Sequence, residues 1–279
     1  MRAEIPGMVS VVMGCYNAEP AHLAEAIGSV LAQSYESIEV IVVDDGSTRE
    51  DTRQALSSVP DGVTVIRQAN AGVAAARNTA VDAARGEYIQ ILDSDDRLGP
   101  DVVAQGVSVL ADPDVVIAYS AADIFGAQEG SVEPASELGL AGLMDTNWLT
   151  IASMVRRERW LAVGGQWAPL RDGFEDYEFW VRILRDGGRA RRTPSARFEY
   201  RVRPVSRSTE ISSEGLRRTR DVIVDANPDH HEALLRASWE RMDQMTAQLA
   251  ELKGYVGRWQ HRTRHLVAIR GLARRLGRG

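Results

Sequence analysis

Two acidic clusters each follow directly after a short apolar run. The first is Asp44 and Asp45, and the second is Asp93, Asp95 and Asp96. The carboxyl ends of parallel strands meet at one edge of a sheet, so these five carboxylates would surround one crevice. Close like charges raise each other's pKa, so such a cluster usually needs a cation to stay ionised. Carboxylate oxygens without neighbouring Cys or His suit Mg²⁺ or Mn²⁺, which often take phosphate oxygens as further ligands. The clusters predict a site for a divalent cation and a diphosphate.

Turn formation and helix capping are the competing explanation for both clusters. The segment 45–47 could be a plain turn, and Asp95 or Asp96 could cap the segment that follows, because Asp is common in both settings. Either cluster alone is as consistent with this explanation as with a site. Two clusters, each directly after an apolar run, favour the site.

The elements that position these carboxylates are short apolar runs alternating with helical patterns. Strands are predicted at 9–13, 38–43, 63–67, 88–92 and 114–121, and helices at 20–33, 73–84 and 101–110. Repeated βα units of this length predict a parallel sheet covered by helices, with ligand loops at the carboxyl ends of the strands. Residues 126–147 are polar and contain glycine, which predicts a loop or a mobile flap. The remaining segments are a short strand at 153–155, helices at 158–163 and 174–186, an extended stretch at 190–203, and helix from 212 onward.

Composition limits the class of protein. The chain has 279 residues, of which 44% are apolar and 26% charged, as in ordinary globular proteins. No window of 18 apolar residues exists, so no membrane span is predicted. The start, with Glu4 and Pro6 and no small-residue cleavage site, argues against a secretory signal and predicts a cytoplasmic protein. The single Cys15 excludes an internal disulfide, and no Cys/His cluster has zinc-ligand spacing.

Charge is distributed unevenly along the chain. The net charge is −6, but residues 253–279 hold eight Lys/Arg and no Asp/Glu, which leaves 25 basic against 39 acidic residues, or −14, in residues 1–252. Duplex binding needs a basic face on the folded domain, so an acidic body with a basic tail predicts no nucleic-acid partner.

Five segments in chain order carry a family resemblance: 9–19 (VSVVMGCYNAE), 29–35 (SVLAQSY), 39–48 (EVIVVDDGST), 70–78 (NAGVAAARN) and 86–96 (GEYIQILDSDD). Together they resemble the family 2 glycosyltransferases of GT-A fold, nearly continuously over residues 8–125. A lone Asp-x-Asp would be weak evidence, because it recurs in many loops by chance. The resemblance implies an α/β, Rossmann-like GT-A fold, with a mostly parallel sheet flanked by helices. It also implies an inverting, nucleotide-sugar-dependent enzyme.

The resemblance implies roles for four residues in nucleotide binding. Tyr16 and Glu19 fall where the family holds the base and the ribose. Asp45 resembles the carboxylate that accepts a hydrogen bond from uracil, and Arg77 resembles a second nucleotide contact. Plainer explanations are packing for Tyr16 and an exposed helix charge for Arg77, and each remains open.

The second acidic cluster matches the family's Asp-x-Asp element. Asp93, Ser94 and Asp95 occupy its three positions, and Asp93 and Ser94 are expected to contact the nucleotide. The resemblance implies Asp95 as the first metal ligand, with Asp96 as a further partner and Mn²⁺ or Mg²⁺ as the cofactor.

A third acidic pair, Glu175 and Asp176, heads the helix predicted at 174–186. Acidic side chains there are stabilised by the helix dipole in any case, by up to about 1 kcal/mol. The stretches 163–165 and 174–180 are similar to the family's second signature, in which an Asp after a Glu is the base. This similarity implies Asp176 as the general base and a supporting or acceptor-binding role for Glu175. A wall such as Trp180 or Trp167 would raise the pKa of that carboxyl.

The segment 200–208 resembles the short stretch that in many relatives closes over the diphosphate. Those relatives often have a histidine two positions after the first Arg, where this chain has Arg203. Arg201, Arg203 and Arg207 are therefore all candidate phosphate contacts. An exposed basic strand edge is an equally good explanation.

Residues 211–279 form a predicted helical extension. Apolar residues recur there at alternating spacings of three and four with one polar member, at Met242, Met245, Leu249, Leu252, Val256, Trp259, Thr263 and Leu266. This pattern is typical of a coiled-coil seam, so 235–266 is expected to pair with a second chain or to pack along the catalytic domain. Residues 259–279 combine six Arg with Leu and Ile. Such a segment could lie on the anionic inner face of a membrane, or it could be a solvated basic end.

These observations predict a catalytic domain over 1–210, with a nucleotide-binding half (1–125) and an acceptor-side half (126–210), followed by a helical basic extension over 211–279. The predicted function is metal-dependent, inverting transfer of a sugar, most simply from a UDP-sugar, to a hydroxyl acceptor such as a glycan, a lipid-linked sugar or a small molecule. The alternative is an inactive nucleotide-sugar-binding scaffold that acts through its C-terminal helix. A sugar nucleotidyltransferase is disfavoured because residues 14–19 are not a glycine-rich basic loop.

Overall fold

The computed structural model describes residues 3–144, 147, 149–169, 174–203 and 213–276. The strands are β1 (Ile5–Cys15), β2 (Ile38–Asp44), β3 (Val63–Arg67), β4 (Gly86–Ile91), β5 (Arg97–Leu98), β6 (Val115–Gly126), β7 (Gly130–Val132), β8 (Glu137–Leu138), β9 (Met154–Arg156) and β10 (Arg189–Val202). The helices are α1 (Pro20–Leu31), α2 (Glu50–Ser57), α3 (Val73–Ala83), α4 (Val102–Leu110), α5 (Arg157–Ala162), α6 (Glu175–Arg185), α7 (Ser213–Asp225) and α8 (His231–Leu276), with 3-10 turns at Leu140–Leu143 and Pro228–His230.

One sheet with strand order β3-β2-β1-β4-β9-β6-β10-β5 organises the chain. The four strands β3, β2, β1 and β4 are parallel, and β6 is parallel to β10. β9 runs antiparallel between β4 and β6, so the sheet is mixed and mostly parallel, as the resemblance implies. The α/β fold class is confirmed, and the acidic segments after β2 and β4 leave the sheet at the same edge.

Both faces of the sheet are buried under helices. Val9, Val11 and Met13 of β1 pack in one apolar cluster, and Val12 belongs to a second cluster on the opposite face. This division follows from the two-residue period of a strand. Strands that are buried on both faces are continuous apolar runs in the sequence, and they are therefore easy to predict.

Residues 126–147 differ from the predicted loop or flap. β7 pairs with β6, β8 pairs with β10, and the 3-10 turn at Leu140–Leu143 buries Leu143 completely. The prediction of a flap is wrong for the described part of this segment, because strand pairing at the sheet edge satisfies backbone groups that a free loop would leave to water.

α6 is packed against α5 by aromatic side chains. The ring of Phe179 lies 4.5 Å from that of Trp160 and 5.0 Å from that of Trp180, centroid to centroid. Tyr177, Trp180, Val181 and Leu184 are all buried, as their spacing predicts. The start of α6, which carries Glu175 and Asp176, is therefore held in one place.

α8 extends from the domain. Leu234 and Ala237 in its first two turns are buried against the body of the protein. No helix in the described part of the chain is long and apolar enough to cross a membrane.

Candidate active site

The loop after β2 is tied to the start of α3 by Asp45. Its Oδ1 accepts hydrogen bonds from the Gln68 side chain (2.7 Å) and from the Ala71 backbone N–H (2.8 Å), and its Oδ2 accepts from the Gly72 backbone N–H (2.8 Å). Gly46 next to it has φ of +75°, and a Cβ there would come within 2.9 Å of the Asn70 nitrogen. The turn-forming role of this cluster is therefore real. The uracil contact assigned to Asp45 stays a prediction.

Asp44 has partners of its own beside this loop. It pairs with Arg67 at 2.6 Å and accepts a hydrogen bond from the Ser47 N–H at 2.8 Å. Asp44 and Asp45 are thus held by β3 and the loop after it.

The segment after β1 presents Tyr16 and Glu19 next to that loop. Tyr16 is 52% exposed, so core packing does not account for it. Asn17 accepts hydrogen bonds from the Thr48 N–H (2.8 Å) and the Arg49 N–H (2.9 Å), and Glu19 pairs with Arg49 at 3.1 Å. These contacts bring the ends of β1 and β2 together, as a shared nucleotide site requires.

The segment after β4 meets the end of β10. The Arg201 N–H donates to Asp96 Oδ1 at 2.8 Å, the Arg201 Nε donates to the Asp95 carbonyl at 2.8 Å, and the Arg203 guanidinium pairs with the Asp95 carboxylate at 2.8 Å. Burial and the nearby charge of Asp93 raise the pKa of Asp95, and they raise that of Asp96 well above its usual value. Ser94, between Asp93 and Asp95 in the chain, is partly buried.

These carboxylates fit a hard divalent cation by donor type. Asp96 is 1% exposed, and its Oδ2 has no hydrogen-bond partner within the described ranges. A cation would give this buried oxygen a partner and would reduce the repulsion among the three Asp residues. In the described residues no group of three or more His, Cys, Asp or Glu is arranged to hold a metal by itself, so a cation here would take further ligands from a phosphate.

Arg77 joins the second and third acidic clusters. It is 2% exposed, so an exposed helix charge does not explain it. Its guanidinium pairs with Asp93 Oδ1 at 2.5 Å and with Glu175 Oε1 at 3.1 Å. Burial alone would lower the pKa of Arg77, but the two carboxylates raise it. The nucleotide contact of Arg77 stays a prediction, and the observed contacts make it a bridge between β4 and α6.

Two residues that the sequence did not single out support this bridge. Gln166 Oε1 accepts from Arg77 at 3.2 Å, and the Gln166 backbone exchanges two hydrogen bonds with the Asn78 side chain, at 2.7 and 2.8 Å. Asn78 belongs to the NAGVAAARN segment, which was the only sequence signal available for it. Gln166 lies between Gly165 and Trp167, and no motif in the sequence pointed to it.

Asp176 lies at the first turn of α6 with a perturbed carboxyl. Burial, followed by the negative charge of Glu175, raises the pKa of Asp176 to about 7, while Arg77 opposes the shift. Its Oδ2 accepts a hydrogen bond from the Asn147 side chain at 3.0 Å, and its Oδ1 accepts from the Tyr177 N–H at 2.8 Å. A carboxyl that is half ionised near neutral pH is suited to take up a proton. Asn147 was not predicted, because a single Asn in a polar segment gives no signal.

The basic residues after β10 differ in availability. Arg201 donates to Glu25 at 2.5 Å and stacks on the Phe125 ring at 4.3 Å, so its charge is largely used within the protein. Arg203 is exposed and pairs with Asp95. Arg207 lies outside the described residues.

Contacts therefore run continuously from Asp95 through the Asp-x-Asp segment and Arg77 to Glu175 and Asp176. A comparison with protein families matches residues 10–176, more than half of the chain, to the model described as glycosyl transferase family 2. The chain belongs to glycosyltransferase family 2.

Known proteins resemble this family member over different lengths. The Escherichia coli UDP-Glc:alpha-D-GlcNAc-diphosphoundecaprenol beta-1,3-glucosyltransferase WfaP is 29% identical over 231 residues, which cover 80% of this chain and 89% of that protein. An uncharacterized glycosyltransferase of a Nostoc species is 37% identical over 134 residues, 47% of this chain and 41% of its own length. The chain spans less than two thirds of the length of several curated relatives that it matches.

A solved structure confirms the fold. Residues 1–349 of S. aureus TarS in complex with UDP-GlcNAc superpose with a TM-score of 0.69, covering 84% of this chain and 71% of that one at 19% identity. At this identity the likeness supports the GT-A fold of the chain.

Proposed function

We propose that this chain is an inverting glycosyltransferase that moves a sugar from a nucleotide-diphosphate sugar to a hydroxyl group. The observation that carries the proposal is Asp176, whose raised pKa suits a base and which is connected through Glu175 and Arg77 to the Asp-x-Asp segment. A base on the acceptor side, next to a site for a diphosphate, is what inverting transfer needs.

UDP is the proposed nucleotide. The E. coli relative that matches most of its own length is named for a UDP-Glc donor, and the superposed TarS structure contains UDP-GlcNAc. In this chain the ring of Tyr16 and the carboxylates of Glu19 and Asp45 lie around the ends of β1 and β2, where they would contact the uridine.

The reaction is a single displacement at the anomeric carbon of the sugar. Asp176 takes the proton of the acceptor hydroxyl as that oxygen forms its bond to the anomeric carbon. The bond from this carbon to the diphosphate oxygen breaks on the opposite face, so the configuration inverts and the electron pair stays on the diphosphate. Asp176 then returns its proton to water. Positioned base catalysis is worth roughly 10² to 10⁴-fold.

Asp95 and Asp96 are the proposed holders of a divalent cation. Bound Mg²⁺ or Mn²⁺ supplies positive charge that stabilises the departing diphosphate. Arg203 is the best-placed side chain to add to that charge, because it is exposed and already lies 2.8 Å from Asp95. Asp93 and Ser94 complete the segment that faces the nucleotide.

A lipid-linked sugar is the proposed acceptor, because the name of the E. coli relative specifies a sugar on diphosphoundecaprenol. The proposed catalytic domain is 1–210, with the nucleotide side at 1–125, and the extension is 211–279. A cytoplasmic location and contact of residues 259–279 with an anionic membrane stay predictions. Basic side chains near a lipid-borne substrate would favour such contact.

The substitution Asp176→Asn tests the proposal. Nucleotide release from a panel of UDP-sugars is measured with Mn²⁺ and with chelator, alongside UDP binding by calorimetry. We expect transfer to fall by at least about 100-fold with donor binding retained, since only the base is removed. Asp61→Asn, at an exposed carboxyl before β3, is the matched control and should keep full activity.

Two outcomes would contradict parts of this assignment. Unchanged transfer by the Asp176→Asn variant would remove the base role, and wild-type protein that binds UDP-sugar without transferring it to any acceptor would favour the scaffold alternative. Activity that is indifferent to chelator would remove the metal role given to Asp95 and Asp96.

A further inference from the structure

Exposed apolar side chains are concentrated on one helix. In the described part of the chain fourteen large apolar residues are exposed, and eight of them lie in α8: Leu235, Trp239, Met242, Met245, Leu249, Leu252, Tyr255 and Val256. Their exposed fractions run from 42% to 62%. Single exposed apolar residues are ordinary, but a continuous row of this size marks an interaction surface.

The row does not face the catalytic domain. α8 contacts the domain through Leu234 and Ala237, and no side chain from Ser238 to Val256 is buried. Packing along the domain, one of the two expectations for this segment, is therefore contradicted for Met242–Val256. Most of the stability of a helix in water comes from burying an apolar face, so this helix requires a partner along the row.

The spacing of the row is self-complementary. We define the α8 seam as Met242, Met245, Leu249, Leu252 and Val256, whose separations alternate between three and four. An antiparallel copy centred between Leu249 and Leu252 places Leu249 opposite Leu252, Met245 opposite Val256, and Met242 opposite position 259. Each layer of the pair is then filled by two apolar side chains, as knobs-into-holes packing requires.

We propose that this chain forms an antiparallel dimer through the α8 seam. The second copy is favoured over a membrane for this segment because residues 238–256 carry five charged residues of both signs, three acidic and two basic, and are not basic as a whole. The proposal goes beyond the proposed activity and does not depend on it.

Charge sets the orientation of the two helices. A parallel pair would hold two 253–279 segments side by side, each with eight Lys/Arg and no Asp/Glu. The antiparallel pair instead brings positions 258, 262 and 270 of one chain, all Arg, to within one residue of the level of Asp243, Glu240 and Glu232 of the other. Like charges oppose the first arrangement and opposite charges favour the second.

The mass of the full chain in solution tests the dimer. Sedimentation equilibrium should give twice the 30.6 kDa of one chain. The double variant Leu249→Glu, Leu252→Glu should be monomeric, because four carboxylates would meet at the centre of the seam. The matched control Gln244→Glu, Ala247→Glu adds the same charge to α8 away from the seam and should stay dimeric. A monomeric wild type, including one that binds anionic vesicles as a monomer, or a dimer unaffected by the seam variant overturns the proposal.

Cysteine cross-linking tests the orientation. The single native cysteine, Cys15, is buried and does not compete. With copper phenanthroline as oxidant, the variant Met245→Cys, Val256→Cys should form a covalent dimer, because these positions are opposite each other in the antiparallel pair. Met242→Cys alone should not, because its two copies would lie 17 residues, or about 25 Å, apart along the axis. A cross-link through Met242→Cys shows a parallel pair, and a dimer that neither variant cross-links has another register; both results overturn the antiparallel arrangement.

Discussion

Burial, followed by the negative charge of Glu175, raises the pKa of Asp176 against the opposing charge of Arg77, and the ionisation of Asp176 should control the rate. As a base it must be ionised before it takes a proton, so the rate should rise with pH and level off above its pKa of about 7. The negative charge of Glu175 raises that pKa, and Glu175→Gln removes the charge while its amide oxygen can still accept from Arg77. The rising limb of the pH–rate profile should therefore move to lower pH in the variant.

The control for this shift is Glu158→Gln, at an exposed carboxyl on α5. Its profile of kcat against pH should overlay that of the wild type. If Glu175→Gln left the midpoint in place, or moved it upward, Asp176 would not be the group that titrates.

Arg77 is the single cation between two carboxylates on different elements. Removing it by Arg77→Gln leaves Asp93 and the mostly buried Glu175 without their counter-charge. Breaking a buried pair from one side typically costs about 3 to 5 kcal/mol of unfolding free energy. Arg53→Gln, which breaks an exposed pair with Glu50, should cost less than about 1 kcal/mol.

Urea unfolding of the two Arg variants measures this difference. Equal and small losses would mean that the Arg77 bridge contributes little to stability. Recovery of the wild-type midpoint by Arg77→Lys would also count against it, since one ammonium lacks the fork that reaches both carboxylates.

Among the elements, α3 links the two halves of the site. Its first turn is held by Asp45, and Arg77 in its second turn reaches Asp93 and Glu175. The sequence predicted α3 itself within one residue, because its apolar spacing is regular. The Arg77 bridge could not be predicted, because it joins residues 98 positions apart through contacts that exist only in the folded chain.

Other elements show the same limit of sequence reasoning. α2 was not predicted, because its buried face consists of Thr52 and Leu56 and gives no apolar period. β5 has two residues, too few for any pattern. The central strands and the Asp-x-Asp segment were predicted well, because burial on both faces and a contiguous motif are local properties of the sequence.

Gly46 fixes the loop that carries Asp45 to the start of α3, and Gly46→Ala tests that link. The alanine would have to adopt the left-handed φ of +75°, and its Cβ would lie 2.9 Å from the Asn70 backbone nitrogen. The backbone conformation alone costs about 1 to 2 kcal/mol, and the contact adds to it by displacing the loop. We expect a lower unfolding midpoint together with weaker UDP binding in calorimetry.

Gly62 provides the matched control for this loop. It also has a left-handed φ, of +92°, but a Cβ there meets nothing within 4 Å. Gly62→Ala should lose stability by the backbone cost alone and keep wild-type UDP binding. Equal UDP affinity in both variants would disconnect the Asp45 loop from the nucleotide site.

The whole molecule is divided into an acidic body and a basic C-terminal segment, −14 against +8. In the antiparallel dimer the basic residues 253–270 of each chain lie along residues 231–248 of the other, which include Glu232, Glu240 and Asp243, so screening by salt removes attraction. The dissociation constant of the dimer should therefore rise between low and high ionic strength, while the apolar seam keeps the pair from dissociating fully. In a parallel dimer salt would screen repulsion between the two basic segments, and the constant would fall. Sedimentation at two salt concentrations decides the sign, and the triple variant Arg258→Gln, Arg262→Gln, Arg270→Gln should flatten the dependence if these three residues are its source.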